Sequence, residues 1–296
     1  MTAPARGLSA CHNHTQMSDG ALALDDMVRA AVRQGFSDIG ISDHSCLAAE
    51  PPHATGDEAG YLAALRGAKA HFAGQICVAA GLELDALSHF SARHELDYVI
   101  GSVHYLYDKA AGRFYGVDWD EATAQSCIKE MFGQNGLAYA KAYYAAVAEN
   151  ALRTRPDVIG HFDLVVKPNA RGALFDEESP AYRAAALEAL DACCEAGGIL
   201  EVNTGGVFRG WRSTFYPAPF LLRRAAEKGM RATVNADAHC AEALCFGFAP
   251  AREMLRQAGF SSVWVLRGGA FCEEALLGRV RRPARKTPCE NTRAVL

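Results

Sequence analysis

Several things are missing from this chain of 296 residues, and each absence closes off a class of protein. No apolar run approaches the roughly 20 residues needed to cross a bilayer, so no membrane span is expected. The opening segment, Met1 to Gly7, has no apolar core of the kind a secretory leader carries, and the expected address is the cytoplasm. Basic charge is not in excess: 30 Lys and Arg face 34 Asp and Glu, a formal net charge of −4. That balance argues against nucleic acid or an acidic membrane face as a partner. No G-x-G-x-x-G follows the first expected strand and no G-x-x-x-x-G-K-[ST] occurs, so two common phosphate-cradling loops are absent. The ten cysteines contain no C-x-x-C pair and read as reduced thiols filling apolar gaps. Cys11, Cys46 and Cys240 lie beside candidate ligands; Cys11, pointing opposite to His12 on an extended strand, is assigned to the core. No linker of domain-boundary quality and no short internal repeat interrupts the chain.

What is present is alternation of strand and helix. Short apolar runs at Leu8–Cys11, Asp38–Ser42, Ile76–Gly81, Asp97–Ser102, Pro156–Gly160, Ile199–Val202 and Ala232–Asn235 read as strands, with Ser262–Leu266 as an eighth. Between them, Leu24–Gln34, Tyr61–His71, Asp120–Thr154, Ala181–Ala196, Pro219–Lys228 and Ala251–Gln257 read as helices, several ended by glycine. The Tyr139, Tyr143, Tyr144 and Val147 stripe is expected to be core. This order implies an α/β protein with a parallel sheet. The expectation is one domain, a single distorted (β/α)7-type, TIM-barrel-like fold of seven or eight strands. Its core spans about residues 8–270, followed by a basic tail at 279–296.

The chemistry sits where those strands end. Cys11-His12-Asn13-His14 places two imidazoles on alternate residues, hence on one side of an extended chain, where they can grip one metal together. Asp19 follows on the loop, free to reach a second ion. Asp43-His44, Gly81-Leu82-Glu83, Ser102-Val103-His104, Gly160-His161 and Asp237-Ala238-His239 each follow a strand in the same way. Six of ten histidines fall in these motifs; His53, His71, His89 and His94 do not, and are read as surface or helix residues. A metal site built from many strand ends suits the C-terminal rim of a barrel. Its imidazole and carboxylate donors, without thiolate, suit Zn, Mn or Fe in an open site rather than a closed structural zinc.

Taken together, H-x-H-T…S-D-G, D-H, G-L-E, S-V-H, G-H-F-D-L-V and N-x-D-A-H resemble the polymerase-and-histidinol-phosphatase (PHP) superfamily over residues 8 to about 250. Three segments resemble its histidinol-phosphate phosphatases more narrowly: Gly101–Tyr105, Gly160–Val165 and Leu200–Gly206. The resemblance implies two to three divalent ions. His12, His14, Glu83 and Asp237 would hold the first, Glu83 would bridge to a second completed by His104 and His161, and Asp19, His44 and His239 would hold the third. It also implies phosphomonoester hydrolysis by a hydroxide held between the metals, with histidinol phosphate of histidine biosynthesis as the substrate. The alternative is another small phosphate ester or a nucleotide.

Within that resemblance Glu83, Asp237 and His239 are the catalytic candidates, the last two as proton carriers. Lys167 and Arg209 occupy the loops where the family has cationic phosphate contacts, and Arg212 is a neighbouring candidate. A lysine in place of arginine exchanges a bidentate fork for a point charge. Gly205-Gly206 would let backbone approach a ligand closely. The insertion Tyr105–Asp120, with Tyr115, Asp118 and Trp119, is expected to cover the site. Oligomeric state is left open.

Overall fold

The computed structural model describes residues 7–47 and 55–276; His53 and the basic tail at 279–296 lie outside them. The chain runs β1 (Leu8–Ala10), α1 (Leu24–Arg33), β2 (Phe36–Ile41), α2 (Glu58–His71), β3 (Cys77–Ala80), β4 (Glu83–Asp85) and β5 (Ile100–Ser102). A hairpin of β6 (Tyr105–Asp108) and β7 (Arg113–Gly116) follows, then α3 (Glu121–Phe132), α4 (Gly136–Thr154), β8 (Val158–Ile159), α5 (Pro180–Ala196), β9 (Ile199–Asn203) and the short α6 (Gly205–Phe208). The last elements are α7 (Pro219–Glu227), β10 (Ala232–Asn235), α8 (Phe248–Ala258), β11 (Ser262–Arg267) and β12 (Ala270–Ala275).

Local chemistry accounts for the boundaries. Asp25 and Asp26 sit in the first turn of α1 and Arg33 in its last, each complementing the helix dipole. In α5 the Ser179 side chain caps the first turn, Pro180 opens it, and Gly197 closes it in the left-handed region. The expected single helix over 120–154 is instead two. Gly133 takes φ +57° to end α3, and the Asn135 side chain accepts from the Ala138 amide to start α4. A glycine stop followed by an asparagine cap outweighs continuous helical periodicity.

Two parallel sheets carry the strands, in the orders β1-β2-β3 and β10-β9-β8-β5-β4. Between them, Asn13 pairs with Ala238 just past the ends of β1 and β10, the His14 amide donating to the Ala238 carbonyl at 2.9 Å. On the other side His44, beyond β2, pairs with Glu83 of β4. Side chains follow the strand period of two. In β9, Leu200 and Val202 join the larger apolar cluster with helices α4, α5 and α7, whereas Ile199, Glu201 and Asn203 face the other way. A second cluster packs α1 and α2 against β1, β2 and β3. A third, of Cys11, Ala79, Tyr98, Ile100, Val158, Ile199 and Leu266, gathers inward side chains from both sheets. Cys11 is therefore core, as expected, and the tyrosine stripe of α4 is buried.

Ser262–Leu266 does not extend the parallel ladder. As part of β11 it pairs antiparallel with β12 through Gly268-Gly269, at φ +59° and +83°. Two consecutive left-handed glycines are the signature of a tight two-residue hairpin turn. β11 still reaches the fold's interior, its Leu266 amide donating to Ser9 Oγ at 3.1 Å.

Candidate metal centre

All nine residues expected as ligands converge beyond the C-terminal ends of the parallel strands. Glu83 stands at the middle, its side chain almost wholly buried. Its Oε2 lies 3.2 Å from His12 Nε2 and 3.4 Å from His14 Nε2. Asp237 Oδ1 lies 3.6 and 3.1 Å from the same two nitrogens. Those four atoms outline a small polyhedron. Metal–ligand bonds of about 2.0–2.2 Å give tetrahedral edges of roughly 3.3–3.6 Å, and octahedral edges a little shorter. The other oxygen of Glu83, Oε1, lies 2.8 Å from His161 Nε2 and 3.3 Å from His104 Nε2. Glu83 thus turns one oxygen to each of two ligand groups.

The outer group is looser and wetter. Asp19 Oδ2 is 3.0 Å from His239 Nε2, and Asp19 Oδ1 is 3.7 Å from His44 Nε2. The His44 and His239 side chains are 23% and 24% exposed, against none for His12 and His14. His44 also bridges inward, its Nδ1 3.0 Å from Glu83 Oε2.

The donor set fits cations. Both ring nitrogens of His14, His12 Nε2, Glu83 Oε2 and His161 Nδ1 are buried without a hydrogen-bond partner. Buried lone pairs are costly unless something takes them up. Burial, with His239 and His44 adding to it, pushes the His14 imidazole down to about 3, so its ring is neutral and offers a lone pair. Burial would raise Glu83, but His12, His44 and His104 hold it well below the usual carboxylate range. Asp237 is likewise held low against burial, first by Arg209 and then by His12.

Several supporting residues escaped the sequence reading. Glu201 is buried among four N–H donors: Oε1 faces His12 Nδ1 at 2.7 Å and Asn235 Nδ2 at 3.0 Å. Oε2 accepts from the His161 amide at 2.8 Å and from Asn203 Nδ2 at 3.1 Å. A carboxylate at Nδ1 keeps the proton there and leaves His12 Nε2 free to bind metal. Asp85 does the same for His104, with Oδ2 3.3 Å from its Nδ1 and accepting from its amide at 2.8 Å. Ser102 Oγ donates to Glu83 Oε1 at 2.6 Å. Asp43 accepts from the Thr15 amide, the Thr15 hydroxyl and Ser18, which shapes the loop delivering Asp19. The one sequence signal for Glu201 was a carboxylate inside a run otherwise fit for a buried strand.

Asp237 adopts φ +51°, a left-handed backbone rare outside glycine, so strain accompanies two expected ligands, Asp237 and His239, separated by one residue. Its carbonyl lies 2.9 Å from His239 Nδ1 and accepts from Arg209 Nη2 at 2.8 Å. Arg209 Nη2 is also 2.5 Å from His239 Nδ1. That nitrogen cannot both donate to the carbonyl and accept from the guanidinium.

Above the ligands opens a cleft of about 520 Å³, walled by Asp118, Trp119, Lys167, Arg209, Trp211 and Tyr216 among others. Lys167 and Arg209 therefore reach the site. Arg212 does not: it is drawn away by Glu177, whose carboxylate accepts at 2.9 and 3.1 Å, and by the Val166 carbonyl. Its expected place at the phosphate is corrected on that ground. The 105–120 insertion is the β6–β7 hairpin; Asp118 and Trp119 enter the cleft wall, while Tyr115 is buried with its hydroxyl donating to Glu130. Gly206 lines the cleft, and a Cβ there would lie 2.7 Å from the Tyr216 ring, so packing demands the glycine. His71, His89 and His94 are exposed and away from the centre.

The PHP domain family model matches residues 10–205. The chain belongs to the PHP family. A Deinococcus radiodurans protein named "Probable histidinol-phosphatase" is 32% identical over 87% of this chain and 96% of its own. A Bacillus subtilis protein named "Histidinol-phosphatase" is 25% identical over 73% of this chain and 87% of its own. The fold matches the crystal structure of histidinol phosphate phosphatase from Lactococcus lactis, complexed with zinc, L-histidinol and phosphate. The TM-score is 0.62 and the identity 20%, covering 89% of this chain and 98% of that one. The PHP match ends at residue 205, before Asp237 and His239, which the fold nonetheless brings to the same centre, and before Arg209, which it brings to the cleft above.

Proposed function

We infer that this chain is a metal-dependent phosphomonoesterase that hydrolyses L-histidinol phosphate to L-histidinol and phosphate in histidine biosynthesis. The observation that carries the reading is the two-sided placement of Glu83 between ligand groups, with Lys167 and Arg209 at the rim above it. The names of the Deinococcus and Bacillus relatives supply the substrate. His12, His14, Glu83 and Asp237 would hold one divalent ion, Glu83, His104 and His161 a second, and Asp19, His44 and His239 a third. Zinc, as in the Lactococcus structure, manganese or iron suits these donors. Bound there, such ions polarise phosphoryl oxygens and bring the acidity of a bound water toward neutrality.

The chain's own groups do the rest. Lys167 and Arg209 meet the charge on the phosphoryl oxygens. Asp237 and His239 line the cleft and would serve as proton carriers toward the departing alcohol, Asp237, held as a carboxylate, by accepting and relaying a proton rather than by supplying one of its own. Glu201 and Asp85 keep His12 and His104 in the ligating tautomer. We read the two parallel sheets as halves of one distorted (β/α)7-type barrel, with β3 and β4 counted as one strand interrupted at Gly81-Leu82, a reading supported by the Asn13–Ala238 and His44–Glu83 pairs. A cytoplasmic address belongs to the same reading; among the described residues no helix is long and apolar enough to cross a membrane.

The test is turnover of the metal-loaded protein on L-histidinol phosphate beside a panel of sugar phosphates, nucleotides and p-nitrophenyl phosphate. Histidinol phosphate should give the highest kcat/KM. A higher value for another ester would replace the substrate, and no hydrolysis of any ester at full metal content would remove the reading.

A further inference from the structure

Lys167 and Arg209 come to the cleft from different loops, one beyond β8 and the other at the end of α6, and two cations at one rim repel each other. Each has an anion beside it, Asp118 at 2.9 Å from Lys167 and Asp237 at 3.5 Å from Arg209. One side chain touches both cations. Lys167 Nζ lies 3.6 Å from the centroid of the Trp211 ring, and Arg209 Cζ lies 4.9 Å from it. Trp211 is 41% exposed, so burial of apolar surface is a weak account of a large indole in a polar cleft. Attraction of cations to the ring face is a better one.

The backbone below is built to hold this arrangement. Gly210, at φ +73°, turns the chain so that the Trp211 and Arg212 amides both donate to the Gly206 carbonyl, at 2.9 and 3.2 Å. Arg212 Nη1 then donates to the carbonyl of Val166, the residue before Lys167, at 2.9 Å. Glu177 holds the same guanidinium from the other side. The clasp ties the loop bearing Lys167 to the loop bearing Trp211.

We propose that Trp211 is a positioning residue of the phosphate subsite, its indole aligning Lys167 and Arg209 on a shared phosphoryl group. Arg212 holds the two loops in register beneath it. The proposal rests on the reading that Lys167 and Arg209 contact phosphate. An ammonium suits the ring here because its compact charge can approach the face closely, which makes Lys167 and Trp211 a matched pair.

The experiment uses the metal-loaded full chain with Trp211→Leu, Trp211→Phe, Lys167→Ala and Arg209→Ala. Inorganic phosphate serves as competitive inhibitor and histidinol phosphate as substrate. Trp211→Leu should raise the phosphate Ki and the substrate KM by about three- to thirtyfold, with metal content unchanged and kcat falling less than KM rises. Trp211→Phe, which keeps a ring face, should recover most of the loss. Combining Trp211→Leu with Lys167→Ala should give less than the product of the single effects, since both remove one contact. Positioning is overturned if Trp211→Leu leaves Ki and KM within about twofold while the two alanine variants raise them. It is also overturned if Trp211→Leu loses metal, or if Trp211→Phe is no better than leucine. If Lys167→Ala and Arg209→Ala themselves leave Ki and KM unchanged, the phosphate reading has failed instead.

Discussion

Glu201→Gln tests the centre through a residue that would touch no metal. The carboxylate receives four N–H groups, two on each oxygen. A glutamine amide keeps one acceptor and turns the other into a donor, so it must choose which oxygen to give up. At Oε2 it would oppose the His161 backbone N–H, which cannot reverse. At Oε1 it would oppose His12 Nδ1, which can, by moving its proton to Nε2. The amide therefore settles toward His12 and flips that ring to the tautomer whose Nε2 has no lone pair for a cation. Asn235 Nδ2 remains opposed, donor to donor, at a buried position, worth about 1–3 kcal/mol, and the charge-assisted bond to His12 becomes a neutral one worth about 1 kcal/mol less.

The expected total is about 2–4 kcal/mol of stability in the metal-free protein. Metal affinity should fall ten- to a hundredfold, as is typical when a group behind a ligating histidine is changed. Denaturant titration of chelator-treated protein reads the first quantity, and competition with a chromophoric chelator reads the second. Turnover at saturating metal should recover toward the parent value, because excess ion drives His12 back to the ligating tautomer. Wild-type metal affinity in Glu201→Gln would refute the claim that Glu201 sets the His12 tautomer.

Three further outcomes follow from the geometry. Glu83→Ala should depress hydrolysis more than Asp19→Ala or His44→Ala at saturating metal, because it removes a ligand from both buried groups; near-parent turnover in Glu83→Ala would strip it of the bridging role. Elemental analysis of purified protein should find two to three transition-metal ions per chain, and chelation should take first the ion held by Asp19, His44 and His239, whose side chains are the exposed ones; trace metal in active protein would defeat the assignment. Gly81→Ala should cost about 1–3 kcal/mol, seen as a lowered Tm, since its Cβ would lie 2.1 Å from Tyr98 Cζ inside the inward cluster; an unchanged Tm would mean that Tyr98 yields freely.

The sequence yielded the ligands more readily than their supports, for a physical reason. His12 and His14 announce themselves because two residues of extended chain return a side chain to the same side. The partner that orients His12 lies 189 residues away, and they become neighbours because β9 adjoins β10, whose end meets the end of β1 through the Asn13–Ala238 pair. Arg212 was of the right type and on the right loop, yet Glu177 on another loop decides where it points. The β11–β12 hairpin was not foreseen, because a strand preceded by a helix reads the same whether it joins a parallel ladder or turns back at Gly268-Gly269. Asp237 gave no local sign of its left-handed backbone. β9 shows why site and core are nevertheless one specification. Leu200 and Val202 must face the helices to bury their surface, and the same alternation turns Glu201 toward His12, with Asn203 on the same side donating to Glu201. A register slip of one residue would bury a carboxylate among leucines and aim leucine at an imidazole. The hydrophobic pattern that holds the helices on the sheet thus also fixes which nitrogen of His12 is left to bind metal.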